Sequence, residues 1–140
     1  MAFSSSTTLL IHASRERVWQ GLTDPKLVKQ YFFGTNLETT WNVGAPLAFR
    51  GEWEGKAYED RGTVLAFEPG LSLSYDYWSS FSGKPDTPET RQIVRYELTE
   101  EGAAVRLTVT QSNVDTQERA EHSAKNWETV FGGLKKLVEA

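Results

Sequence analysis

The sequence predicts an α+β domain in which a curved antiparallel sheet curls around one long C-terminal helix. Three observations carry this expectation. Residues 35–110 are filled by short runs of alternating apolar and polar residues, broken by Gly, Pro and charge, the mark of an antiparallel meander. Over Gln117 to Glu139, Ala120, Ala124, Trp127, Phe131, Leu134 and Val138 recur with helical periodicity as one apolar stripe. The 140 residues hold no internal repeat and no linker, so a single domain over 1–140 has to bring sheet and helix together around one core.

The elements follow in order. From Thr7 to Ala13, Leu9 and Ile11 alternate with Thr8, Leu10 and His12, which predicts a strand. Ser14 then caps a helix over Arg15 to Leu22 that shows Val18, Trp19 and Leu22 on one face. Asp24-Pro25 restarts a second short helix, with Leu27, Val28, Tyr31 and Phe32 as its apolar side and an end near Gly34. Next, Leu47, Phe49, Gly51 and Trp53 alternate with Ala48, Arg50 and Glu52, and Gly55-Lys56 turns the chain. The returning run sets Gly62, Val64 and Ala66 opposite Thr63, Leu65 and Phe67, and Glu68-Pro69-Gly70 closes it. Leu71, Leu73, Tyr75 and Tyr77 oppose Ser72, Ser74 and Asp76. Val94, Tyr96 and Leu98, then Val105, Leu107 and Val109, form the last two strands around a Glu100-Glu101-Gly102 hairpin. The loop Ser79 to Thr90, with Gly83, Pro85 and Pro88, is the stretch expected to be mobile.

The amphipathic C-terminal helix needs an apolar partner, and the inner face of the sheet is the surface left to supply it. Gly132-Gly133 interrupts that helix at a cost of about 0.8–1 kcal/mol per Gly relative to Ala. The pair therefore calls for a reason: a close neighbour such as a second subunit, or a bend that lets a cavity breathe. In the latter case replacing both by Ala raises thermal stability and slows ligand exchange.

Composition excludes several function classes. There is no Cys, which removes disulfide frameworks, cysteine-based zinc sites and thiol nucleophiles. A net charge of −4 without basic runs makes nucleic acid an unsuitable partner. The N-terminus carries no basic leader, and no apolar run reaches membrane-spanning length, so a cytoplasmic protein without a membrane partner is expected. Phosphate loops, Gly-x-Ser-x-Gly elbows and His-Glu-x-x-His stretches are absent. His12 and His122 lack an orienting carboxylate and do not make a metal site by themselves, so no catalytic residue, metal or cofactor is assigned. Asp60 and Asp76 are the carboxylates nearest the aromatic positions, and Asp76 has outward parity.

The order of elements, with Ala13, Arg17-Val18-Trp19, Leu22-Thr23-Asp24-Pro25, Tyr31-Phe32, Trp41 and Val43-Gly44, resembles a known family. Gly62-Thr63-Val64-Leu65, Glu68-Pro69, Leu73-Ser74-Tyr75, Trp78, Arg106 to Thr110, Trp127 and Leu134 to Leu137 continue the match to the end of the chain. The resemblance is to the START-like, helix-grip superfamily, and within it to the family related to the C-terminal domain of the heat-shock-protein-90 ATPase activator. It implies a helix-grip fold and a cavity between long helix and sheet that commonly holds apolar molecules, with no fixed chemistry. The chaperone-activating role in that family goes with an additional N-terminal domain, for which 140 residues leave no room, so a chaperone partner is not expected.

Alternation points Phe49, Trp53, Tyr75, Tyr77 and Tyr96 inward, where the helix offers Trp127 and Phe131. These seven rings either fill the core or line a pocket for a small hydrophobic or aromatic ligand, in which the phenol hydroxyls supply a few polar points. Two other readings stand beside the binding protein. One is a cyclase- or dehydratase-like enzyme that uses an inward Tyr. The other is an interaction module, dimeric or chaperone-linked, anchored by Phe33, Trp41 and Phe81.

Overall fold

In the computed structural model, which describes residues 3–32, 34–79, 83–87 and 89–139, the first strand, β1 (Phe3–Ile11), runs into two helices started by side-chain caps. Ser14 Oγ accepts the Arg17 N–H at 3.2 Å and opens α1 (Arg15–Thr23). Asp24 closes α1 through its own N–H to the Gln20 carbonyl at 2.9 Å, and its carboxylate accepts the Lys26 N–H at 3.0 Å to open α2 (Pro25–Tyr31). One Asp thus serves two helices, and Pro25 stands where a helix has no use for an N–H.

The remaining strands are β2 (Asn36–Glu38), β3 (Pro46–Trp53), β4 (Lys56–Glu68), β5 (Ser72–Tyr77), β6 (Gln92–Glu101) and β7 (Ala104–Val114). With β1 they form one antiparallel seven-stranded sheet in the order β1-β7-β6-β5-β4-β3-β2, and the long helix α3 (Gln117–Glu139) packs over it. This is the α+β helix-grip architecture. Several bonds fasten α3 to β1 and α1. Thr7 Oγ1 donates to the Ala124 carbonyl at 3.1 Å, Lys135 Nζ to the Leu10 carbonyl at 2.8 Å, and Arg17 Nε to the Val138 carbonyl at 2.6 Å. No helix among the described residues is long and apolar enough to cross a membrane.

Three details depart from the alternation. β2 was not expected, because three residues are too few to show a period; it pairs Leu37 with Phe49 and buries Leu37. In β4 the pairing with β5 shifts at Leu65, where Val64 faces Tyr75 but Ala66 faces Ser74. This bulge breaks the parity. Val64 is buried, Leu65 is exposed, and Phe67 packs its ring against Trp19 at 5.4 Å and Trp41 at 5.6 Å. In β5 both faces are covered, so that Ser72 and Ser74 are buried with Leu73 and Tyr75.

The helix α3 runs unbroken through Gly132-Gly133. A Cβ on Gly133 would stand 3.0 Å from Tyr31 Cβ, so the close neighbour is α2 of the same chain. A Cβ on Gly132 would meet nothing within 4 Å. The two positions are therefore not equivalent. Gly132→Ala is expected to raise stability by about 0.8–1 kcal/mol, whereas Gly133→Ala gives no such gain because Tyr31 has to yield. Thermal melts of the two single variants check this, and equal shifts would remove the distinction.

Candidate functional site

Register stacks the inward side chains of β5, β6 and β7 in rows. Leu73, Tyr96 and Val109 form one row, Tyr75, Val94 and Gln111 the next, and Tyr77 and Gln92 the last. Above the first two rows lie Phe131 and Trp127, one helical turn apart and stacked at 5.2 Å. The Tyr96 ring stands edge-on to both, at 5.3 Å from Phe131 and 5.8 Å from Trp127. Phe49 closes this cluster from β3, 5.9 Å from Tyr75 and stacked at 5.5 Å on Phe32.

Beyond the Trp127 row the side chains no longer meet, and a cavity of about 590 Å³ lies between the N-terminal half of α3 and the sheet. Of the seven aromatic positions expected to form a pocket, Tyr75, Tyr77 and Trp127 line it. Phe49, Tyr96 and Phe131 stand behind that wall, at most 5% exposed, in the ring cluster. Trp53 lies on β3, and its side chain is outside the described residues. Phe32, Gln92 and Gln111, together with Ser123 and Asn126 on α3, complete much of the lining. Gln92 and Gln111 have inward parity with Val94 and Val109, a polar signal in an apolar row that alternation alone would have revealed.

Every buried phenol has a partner. Tyr75 and Tyr96 share a hydrogen bond at 2.7 Å, Tyr77 donates to Asp60 Oδ2 at 2.5 Å, and Tyr31 donates to the Gly21 carbonyl at 2.7 Å. Burial pushes all four phenols well above their ordinary pKa, with Asp60 adding to the effect at Tyr77, so they stay protonated near neutral pH. Asp60 is itself only 7% exposed, and Tyr77 stands between it and the cavity as the lining residue of the pair.

A clasp holds the strand ends beside the mouth. The Arg91 guanidinium takes both Asp86 oxygens at 2.8 and 3.1 Å, Asp76 Oδ1 at 2.9 Å and Thr63 Oγ1 at 3.2 Å. Asn113 Nδ2 donates to the Arg91 carbonyl at 2.8 Å, Trp78 Nε1 donates to the Lys84 carbonyl at 2.9 Å, and Lys84 pairs with Asp115. The described part of the loop expected to be mobile is therefore tied at several points. Hydrogen bonding to Arg91 holds the Asp86 carboxyl below its usual range. A depressed folded pKa means that its stabilisation is complete above the unfolded value near about 3.9 and is lost as pH falls through the folded one. Asp86→Asn is accordingly expected to destabilise by about 1 kcal/mol near neutrality and to converge with the parent protein in acid. Urea titrations at about pH 7 and about pH 2 test the sign.

Of the residues offered as surface anchors, Phe33 and Phe81 lie outside the described residues. Trp41 is not a free anchor: its ring stacks on Phe67, and its indole N–H donates to the Thr23 carbonyl at 3.0 Å.

An α+β helix-grip protein with a cavity under its long helix is the class that this geometry defines. The chain belongs to the family of Activator of Hsp90 ATPase homolog 1-like proteins, whose model matches residues 12–139. A protein from Cytophaga hutchinsonii, solved in solution, is 39% identical, with a TM-score of 0.84 over 98% of this chain and 94% of that one. A crystal structure from Mesorhizobium loti, 22% identical, superposes with a TM-score of 0.80 over 98% of this chain and 97% of that one. The Aha1 dimer from Colwellia psychrerythraea, 18% identical, does so with a TM-score of 0.75 over 98% and 96%. No curated protein matches the chain.

Proposed function

We propose that the protein binds a small hydrophobic or aromatic molecule in the cavity between α3 and the sheet. The observation that carries this reading is the wall itself. Phe32, Tyr75, Tyr77, Val94 and Trp127 provide apolar surface in a volume of about 590 Å³ whose remaining lining is polar and charged, with Gln92, Gln111, Lys84, Asp115 and Arg119 among it. That volume falls within the range of about 300–1,000 Å³ that small-molecule sites typically enclose, and the aromatic wall supplies the apolar contact. Mass spectrometry of freshly purified protein, first native and then denaturing, tests it. A bound mass of a few hundred daltons that disappears on denaturation is expected, and adding that molecule back should change Trp127 emission. An empty protein whose emission does not respond to apolar aromatic compounds overturns the reading. An empty dimer in the same spectrum supports an interaction module.

The buried Tyr77–Asp60 pair favours a second reading, a cyclase- or dehydratase-like reaction in which the Tyr77 oxygen takes a proton from a molecule held there as its own proton passes to Asp60. Tyr77→Phe then abolishes turnover of a bound substrate without abolishing its binding. Undiminished turnover in that variant removes the enzyme reading.

A further inference from the structure

We infer that the cavity selects molecules carrying a hydrogen-bond acceptor, such as an aryl ketone, because its wall presents donor protons that the protein's own hydrogen bonds leave over. The inference rests on reading the cavity as a ligand site and assigns that ligand's chemistry. Two independent polar chains lead to it.

The first chain begins at Trp127, whose indole nitrogen can only donate. It donates to Gln111 Oε1 at 2.8 Å. The orientation of the Gln111 amide is thereby fixed, and its nitrogen donates to Gln92 Oε1. Gln92 must then present its own NH2 outward, and that group has no hydrogen-bond partner among the described residues. A donor-only residue at one end of the chain sets the polarity of every amide along it, so the terminal group facing the cavity is a donor.

The second chain is the phenol pair. Tyr75 and Tyr96 are 1% and 4% exposed and stand 2.7 Å apart, with no further hydrogen-bond partner for either hydroxyl among the described residues. Two hydroxyls sharing one bond leave one proton over, whichever of them donates. Tyr75 lines the cavity and Tyr96 does not, so a ligand acceptor is met when Tyr96 donates to Tyr75 and Tyr75 turns its proton inward. The third phenol on this wall, Tyr77, is already committed to Asp60. An acceptor on the ligand takes up a donor left over by these chains, whereas a pure hydrocarbon that displaces water from the wall leaves that donor unpaired.

The test uses two probes of one shape, 9-fluorenone and fluorene, which differ in a carbonyl against a methylene. Tryptophan emission is titrated with each, and Trp127→Phe identifies the part that comes from the cavity wall. Fluorenone is expected to bind about tenfold more tightly than fluorene. Tyr75→Phe should narrow that preference by weakening fluorenone alone. Should this variant fold poorly, Gln92→Leu at the half-buried end of the other chain should narrow the preference in the same direction. Fluorene binding as tightly as fluorenone, or a preference that survives both substitutions, overturns the acceptor inference and leaves the apolar cavity standing. Binding of neither probe overturns both.

Discussion

Gly62→Ala is expected to lower stability by about 3 kcal/mol, far beyond what adding a methyl costs at most positions. The reason lies where β4 and β5 draw together. Arg61 and Trp78 exchange backbone bonds at 3.0 and 2.7 Å, and the regular ladder resumes at Val64 and Tyr75. Between these points the Thr63 N–H is taken at 2.7 Å by the Asp76 side chain. The Asp76 carbonyl oxygen lies over Gly62, only 1.9 Å from where a Cβ would stand. That neighbour is backbone and cannot swing aside, so the strands have to part, and the Asp76–Arg91 clasp parts with them. A denaturant midpoint for Gly62→Ala checks the cost. A loss under about 1 kcal/mol would show that the strands separate freely.

The second large effect is expected at Phe131, where truncation to Ala should cost about 3–5 kcal/mol. Its ring is fully buried, stacked at 5.2 Å on Trp127, with Tyr96 at 5.3 Å and Tyr31 at 6.2 Å. These partners come from α3, β6 and α2 and are themselves held, Tyr96 by Tyr75 and Tyr31 by the Gly21 carbonyl. The space left behind cannot collapse, and a cavity term adds to the lost transfer free energy. Asn126→Ala, one residue before Trp127 and exposed, should stay within about 0.5 kcal/mol in the same denaturant titration. Comparable losses at the two positions would contradict this account of the core.

Much of the fold is legible in the sequence because period and punctuation are local properties. Ser14 and Asp24 announce two helix starts, and the stripe from Ala120 to Val138 announces the long helix and the face that it buries. Two features are not local. The bulge at Leu65 reverses parity for Phe67 through a register shift that only the partner strand defines. Trp41, at a positive φ of 65°, docks against Phe67 through a turn that carries no apolar pattern. The candidate site divides in the same way. Alternation identifies which rings point inward but not where along α3 they cease to touch, because that depends on side-chain volumes packing in three dimensions. Hence Tyr75, Tyr77 and Trp127 reach the cavity, while Tyr96, Phe131 and Phe49 close the core behind it. Gln92 and Gln111 were readable as polar residues of inward parity, and they carry the polar end of the wall.

The Trp127 row separates two territories on a single helix. From Trp127 onward, α3 is buried at Val130, Phe131, Leu134 and Val138, and these turns carry the weight of the core. The preceding turns, with Ser123 and Asn126 on the cavity side, are fixed mainly through Ala120 and the Thr7 bond to the Ala124 carbonyl. Selection can therefore rewrite the helix side of the cavity, at Ser123 and Asn126, and leave the melting temperature nearly untouched. A scaffold partitioned in this way suits diversification: one stable frame, a variable rim on α3, and few epistatic penalties between them.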